Sequence, residues 1–144
     1  DTLRILDDCY NANPASMRAS LDVLALATGR RVAVMGDMKE LGENEEQLHF
    51  ETGEYAARKG IDTIVCIGPL ACQMYLGAKN LASGNTVLHY TGKKEFLHDL
   101  PSLFEAGDTV LVKASNSMKF SEIVEALTEF EANTKDEIEK GAKQ

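Results

Sequence analysis

The sequence predicts an α/β domain of three layers, a Rossmann-like fold with a mostly parallel sheet of five to six strands between helices. Short apolar runs rich in β-branched residues alternate with longer segments of helical period, which is typical of βα units that wind a parallel sheet. The short runs are mostly apolar, as strands buried on both faces are. With 144 residues, 44% of them hydrophobic, the chain can bury one sizeable core.

Five strands and five helices follow from this pattern. Glycines follow the first two predicted helices, at Gly29 and Gly60, and Pro101 closes the fourth, because these residues commonly end helices. The predicted strands are 3–8, 31–35, 63–67, 86–90 and 108–113. The predicted helices are 15–28, 45–59, 70–81, 93–100 and 120–130.

The two ends of the chain lead to separate expectations. Residues 132–144 are rich in charged side chains around a lone Ile138, so we expect a frayed helical extension beyond a domain that covers 1–131. At the other end, the first strand begins at residue 3 with no leader before it. We therefore expect further protein upstream.

Composition excludes several classes of function. A formal charge of −8 argues against binding to nucleic acid or to an anionic membrane, because both need a basic face. No apolar run approaches the roughly 20 residues of a membrane helix. The three cysteines are an odd count without paired spacing, which predicts neither a disulfide framework nor a zinc site and favours a reducing cytoplasm. We expect a cytoplasmic monomer.

Ligands of open α/β sheets bind at the carboxyl ends of the strands, so the loops that follow the predicted strands carry the candidate sites. The first such loop, 7–16, contains two acids and two asparagines. A carboxylate there could accept hydrogen bonds from a ribose diol. The alternative is that Asn13 or Ser16 only caps the next helix, while Asp7 or Asp8 caps the turn.

The second loop, 36–42, has glycine at both ends, and Gly36 permits a close approach that a Cβ would block. Asp37 lies beside Lys39 and Glu40, and the alternative is a solvated charge cluster. His49, early in the next helix, could donate a hydrogen bond to this loop, although a lone histidine is more often structural.

The fourth loop, 113–119, is the most informative, because Lys113 directly follows an apolar strand and lies beside Ser115, Asn116 and Ser117. A fixed cation among hydroxyl and amide groups is a natural receptor for a carboxylate or a phosphate. The alternative is a lysine whose stem covers apolar surface, next to a serine that caps a helix.

Three ordered segments, 7–14, 34–42 and 110–118, with His49 and Gly53 after the second, closely resemble the C-terminal domain of the ATP-dependent Mur ligases. The resemblance is closest to the members that add D-alanyl-D-alanine to UDP-N-acetylmuramoyl-tripeptide in cell-wall synthesis. It implies an enzyme of three domains: one for the UDP-sugar peptide, a central P-loop ATPase, and this domain, which closes over ATP. It also implies a mechanism in which an acyl phosphate is attacked by the amine of the dipeptide.

The resemblance implies site residues in two groups and no catalytic residue in this domain. The group near the ribose and phosphates of ATP is Asp8, Asn11 and Asn13. The group at the amino-acid substrate is Lys113, Ser115 and Asn116, to which we add Asp37 of the second loop. Ala114 and Asn116 depart from residues common in the family, which are Gly and Arg.

The sequence contains no G-x-x-x-x-G-K-[ST] phosphate loop, so we expect Mg²⁺ and the ATP phosphates to be bound mainly by the central domain. We therefore expect the chain alone to be inactive. A receiver-like signalling domain is the main alternative, but the third predicted strand has no phospho-accepting Asp at its end. A free-standing nucleotide-binding domain is the other, and no G-x-G-x-x-G follows any predicted strand.

Overall fold

A computed structural model describes residues 2–142 and confirms five strands alternating with five helices. The strands are β1 (Arg4–Asp7), β2 (Arg31–Gly36), β3 (Thr63–Ile67), β4 (Thr86–Tyr90) and β5 (Thr109–Lys113). The helices are α1 (Pro14–Ala25), α2 (Glu45–Arg58), α3 (Ala71–Leu81), α4 (Lys93–Leu103) and α5 (Ser121–Ala142). Two 3₁₀ turns, Gly42–Asn44 and Asn116–Met118, follow the loops after β2 and β5.

The five strands form one parallel sheet in the order β1-β5-β2-β3-β4. Because side chains alternate along a strand, β2 supplies both faces of the sheet: Ala33 and Met35 pack with α1, α2 and α3, whereas Val32 and Val34 pack with α4 and α5. The three-layer, Rossmann-like architecture is therefore confirmed, with a separate apolar core on each face.

Helices α2 and α3 cross at two glycines. A Cβ at Gly53 would overlap the carbonyl oxygen of Met74, and a Cβ at Gly77 would overlap that of Phe50. Each glycine therefore admits the backbone of the opposite helix, which brings α2 and α3 into backbone contact on one face of the sheet.

Three helix ends differ from the prediction. Helix α1 stops at Ala25 rather than 28, because the amides of Leu26 and Ala27 make tighter bonds three residues back. Helix α4 continues past Pro101 to Leu103; only its last turn lacks the proline N–H, so the loss is small.

The third difference is at the C-terminus, where the predicted fifth helix and the charged extension form one helix to Ala142. The polar part consists largely of strong helix formers and contains an i,i+4 ion pair of 3.4 Å between Glu131 and Lys135. The domain boundary at residue 131 stays a prediction, and residues 143 and 144 lie outside the described residues. Within 2–142, none of the helices combines the length and apolar character needed to cross a bilayer.

Candidate functional site

A crevice opens at the carboxyl edge of the sheet between β1 and β5. These strands are neighbours, yet the helices that follow them pack on opposite faces, so their loops diverge as in other ligand-binding α/β sheets. The cleft has a volume of about 390 Å³. It is lined by Asp7, Asp8, Cys9, Tyr10, Asn116, Lys119, Phe120 and Ser121. The first and fourth loops singled out in the sequence thus meet in one place.

Asp8 and Lys113 form an ion pair across this crevice. Lys113 Nζ donates to Asp8 Oδ2 at 2.6 Å and to the carbonyl oxygen of Asn11 at 3.1 Å. The side chain of Lys113 is only 3% exposed, whereas that of Asp8 is 47% exposed. The pair therefore has a buried cationic end and an acidic end that water or a ligand can reach.

A second donor reaches the same carboxylate oxygen. Ser20, on α1, donates from Oγ to Asp8 Oδ2 at 2.6 Å. Partial burial raises the pKa of Asp8, but the hydrogen bonds and charge of Lys113 and the hydrogen bond of Ser20 outweigh it and leave the pKa below its usual value. Asp8 is therefore a carboxylate at neutral pH. Because both side-chain donors lie on Oδ2, its Oδ1 is the oxygen left for a ligand.

The geometry shows what fixes the cation of Lys113 at the mouth of the sheet. Strand β5 lies between β1 and β2, so its end is covered by the loop of β1, and the ammonium is paired inside the protein. Its ammonium does not reach water, as it would in a lysine that only covers apolar surface with its stem. Direct contact between Lys113 and a substrate stays a prediction, but this arrangement favours a role in holding the first loop.

The asparagines of the first loop have local partners. Asn13 caps α1: its Oδ1 accepts from the amide of Ser16 at 2.9 Å, and Ser16 Oγ accepts from the amide of Asn13 at 3.0 Å. Asn11 Oδ1 accepts from the amide of Ala12 at 2.9 Å. The capping interpretation is confirmed for Asn13 and Ser16, and nucleotide contacts of Asn11 and Asn13 stay predictions.

The second loop is held from inside by Asp37, which is fully buried and so is not part of a solvated charge cluster. Its Oδ1 accepts from the amide of Ala71 at 2.8 Å, at the start of α3. Gly68 makes room for this carboxylate, because a Cβ there would overlap it. Lys39 Nζ lies 3.4 Å from Asp37 Oδ2. This geometry favours a structural role for Asp37 over the predicted contact with substrate.

His49 and Ser115 fix the backbone of the same loop. His49 Nε2 accepts from the amide of Met38 at 2.9 Å, so its Nδ1, 2.6 Å from the carbonyl oxygen of Glu45, must carry the proton. His49 thus contacts this loop as an acceptor rather than as the donor considered from the sequence, and its position agrees with the structural role that is more common for a lone histidine. Ser115 Oγ accepts from the amide of Lys39 at 2.8 Å. The second and fourth loops are thus joined by hydrogen bonds.

Sequence reasoning missed several residues of the crevice. Tyr10 is 82% exposed at its rim, and Lys119 has left-handed backbone with φ of 54°. No sequence signal marks Ser20, because a helical serine usually bonds its own helix. Burial and a hydrogen bond to Asp7 raise the pKa of Cys9 to about 11, so this thiol is protonated and poorly nucleophilic at neutral pH.

Of the predicted substrate group, Asn116 is the member that is exposed in the crevice. A larger cleft of about 540 Å³ lies at the opposite, amino edge, beside Arg4 and Arg30. Arg30 is held there by Asp108 at 2.6 Å, and ligands of such sheets bind at the carboxyl edge. Within residues 2–142, no three His, Cys, Asp or Glu side chains are grouped to hold a metal ion.

Comparisons with known proteins agree with the resemblance. The family model described as "Mur ligase, glutamate ligase domain" matches residues 1–116. The UDP-N-acetylmuramoyl-tripeptide–D-alanyl-D-alanine ligase of Bacillus subtilis (strain 168) is 38% identical over 129 residues, which cover 88% of this chain and 28% of that protein. The ligase of the same name from Escherichia coli (strain K12) is 40% identical over 127 residues, or 87% of this chain and 27% of that protein.

Solved structures give the same result. MurF from Acinetobacter baumannii superposes with a TM-score of 0.78 and 34% identity, covering 87% of this chain and 28% of that one. MurF ligase from Thermotoga maritima, solved in complex with ADP, gives a TM-score of 0.75 and 29% identity over 92% of this chain and 30% of that one. This chain therefore spans less than a third of the length of these proteins.

Proposed function

This chain belongs to the Mur ligase family, and on that basis we propose that it is the nucleotide-closing C-terminal domain of an ATP-dependent ligase of peptidoglycan synthesis. The observation that carries the proposal is the 38% and 40% identity to two tripeptide–D-alanyl-D-alanine ligases over most of the chain. The family match does not support a receiver or a free-standing nucleotide-binding domain.

The proposed reaction joins D-alanyl-D-alanine to UDP-N-acetylmuramoyl-tripeptide in the cytoplasm. The terminal carboxylate of the tripeptide takes the γ-phosphoryl group of ATP, and ADP leaves. The amine of the dipeptide then attacks the acyl carbon. The bond between this carbon and the phosphate oxygen breaks, and inorganic phosphate leaves. The protein is proposed to act as a monomer, with the phosphates and Mg²⁺ held mainly by its other domains, so this chain alone is inactive.

In this proposal, Asp8 binds the nucleotide through its ribose. Its Oδ1 is free of the two donors that hold Oδ2, and nearly half of the side chain is exposed at the crevice. An ionised carboxylate is a strong acceptor for hydroxyl groups, which supports this role. Asn11 and Asn13 lie on the same loop and are proposed to set its conformation beside ATP.

The amino-acid substrate is proposed to meet the fourth loop at Asn116, which is exposed in the crevice. Lys113, Ser115 and Asp37 are proposed to support this site from within. Each is buried, and their hydrogen bonds reach the backbone of the first loop, of the second loop and of the first residue of α3, respectively.

The test is substrate dependence in the full-length protein. Phosphate release from ATP should require both UDP-N-acetylmuramoyl-tripeptide and D-alanyl-D-alanine, with D-alanine or L-alanine as poor replacements for the dipeptide. Asp8→Asn should raise the KM for ATP about 10-fold or more, as expected for a lost charge-assisted hydrogen bond. Asp22→Asn is the matched control, because Asp22 is 50% exposed and pairs with Lys59 on the surface. No ligation, or a preference for another acceptor, would refute the proposal.

A further inference from the structure

Two donors from different elements hold one oxygen of Asp8. Ser20 Oγ comes from α1 and Lys113 Nζ from the end of β5, and each lies 2.6 Å from Oδ2. A carboxylate held at one oxygen from two directions cannot turn about its Cβ–Cγ bond without losing a hydrogen bond. The orientation of Oδ1 is therefore set by Ser20 and Lys113 together.

The backbone beneath this carboxylate is tied to the same strand. The amide of Asp8 donates to the carbonyl oxygen of Val112 at 3.1 Å, and Lys113 also binds the carbonyl oxygen of Asn11. The loop is thus anchored to β5 on both sides of Tyr10. Because Lys113 is almost fully buried, its charge acts on the loop through these bonds.

The bond made by Ser20 is not the usual one for a helical serine. Such a hydroxyl commonly donates to the carbonyl oxygen four residues earlier in its own helix. Here it reaches back twelve residues to a side chain on the preceding loop, in a partly buried position.

We propose that Ser20 and Lys113 are positioning residues for nucleotide recognition, which hold the carboxylate of Asp8 so that Oδ1 accepts a hydrogen bond from a ribose hydroxyl. The inference rests on the proposed function and extends it to a residue outside the three motif segments. An unanchored carboxylate would have to be ordered on binding, and that ordering would weaken the contact with the ribose.

The experiment compares ATP with 2′-deoxy-ATP and 3′-deoxy-ATP as substrates of the full-length protein. The readout is the ratio of kcat/KM for ATP to that for the deoxynucleotide that the wild type uses less well. Ser20→Ala should lower this ratio about 3- to 10-fold, as expected for a weakened hydrogen bond to a charged group. Ser20→Thr, which keeps the hydroxyl, should restore it. Ser102→Ala removes a hydroxyl that bonds only within α4 and should leave the ratio unchanged.

Lys113→Met should lower the ratio at least as much as Ser20→Ala. A ratio measured on one enzyme sample does not depend on how much of the sample is folded, so a loss of stability cannot imitate this result. Lys59→Met, which breaks a surface pair, is its control.

The outcomes separate the two proposals. If Asp8→Asn abolishes the preference for ATP while Ser20→Ala and Lys113→Met keep it, the positioning role is refuted and the proposed function stands. If the wild type ligates but does not distinguish the deoxynucleotides, the ribose contact and the positioning role both fail. If the wild type does not ligate at all, the proposed function fails as well.

Discussion

Lys113→Met should destabilise the chain itself, because the ammonium of Lys113 is buried and forms an ion pair with Asp8. Removing one partner of a buried ion pair typically costs about 3 to 5 kcal/mol. Asp8 is 47% exposed and regains water when Lys113 is lost, so we discount this to about 1 to 3 kcal/mol. In a domain of this size, that corresponds to a fall in Tm of about 3 to 10 °C.

The pH dependence of this stability loss identifies the ion pair between Asp8 and Lys113 as its cause. The folded state holds the pKa of Asp8 below its ordinary value of 3.8, so the pair stabilises the fold above that pH. This stability is lost as the pH falls through the lower, folded-state pKa. The difference between wild type and Lys113→Met should therefore be full at pH 7 and shrink below about pH 4.

The assay is unfolding of the isolated chain, followed by circular dichroism at pH 7 and at pH 3. Lys59→Met is the matched control: its ammonium lies 3.1 Å from Asp22, but the two side chains are 36% and 50% exposed. Surface pairs contribute little, so this variant should lose less than about 1 kcal/mol. Equal Tm values for Lys113→Met and Lys59→Met would refute the reasoning, and so would a difference from wild type that is as large at pH 3 as at pH 7.

Two further predictions concern the glycine crossing and the cysteine of the first loop. Gly53→Ala should destabilise the chain by about 1 to 3 kcal/mol or more in denaturant unfolding, because its Cβ meets the backbone of Met74. Gly141→Ala is the control, because a Cβ there has open space and should not destabilise the chain. Equal stability of the two variants would contradict the crossing. Cys9, with a pKa of about 11, should react with iodoacetamide at pH 8 at least about 10-fold more slowly in the folded than in the unfolded chain. Mass spectrometry follows the alkylation, and a comparable rate in both states would show that the thiol is not protected.

Most of the fold was predictable because apolar runs and helical periods are local signals. Strands β3 and β4 begin and end where predicted, since each apolar run is bounded by turn residues on both sides. The helix ends were less accurate. The end of α1 depends on hydrogen bonds of its last turn, and the length of α5 on helix-forming side chains that gain little from burial.

The sequence placed the candidate site at the carboxyl edge, where the first and fourth loops do line one cleft, but the partners of its side chains could not be predicted. Lys113 and Asp8 are 105 positions apart in the sequence, and Asp37 is 34 positions from the amide that it binds. Such pairs are decided by which strands become neighbours. The position of β5 between β1 and β2 is what buries Lys113 and pairs it with Asp8.

The strand order also determines when the crevice can form. In the part of the chain that the structure describes, β1 pairs in the sheet only with β5, which is the last of these five strands along the chain. Until residue 113 has been synthesised and β5 has entered between β1 and β2, the strand that precedes Asp8 has no neighbour in this sheet and Asp8 lacks the ammonium of Lys113. Closing this long-range contact is entropically costly and slow. The loop that carries Asp8 is therefore completed late in the assembly of the sheet, although it comes before β2, β3, β4 and β5 in the chain.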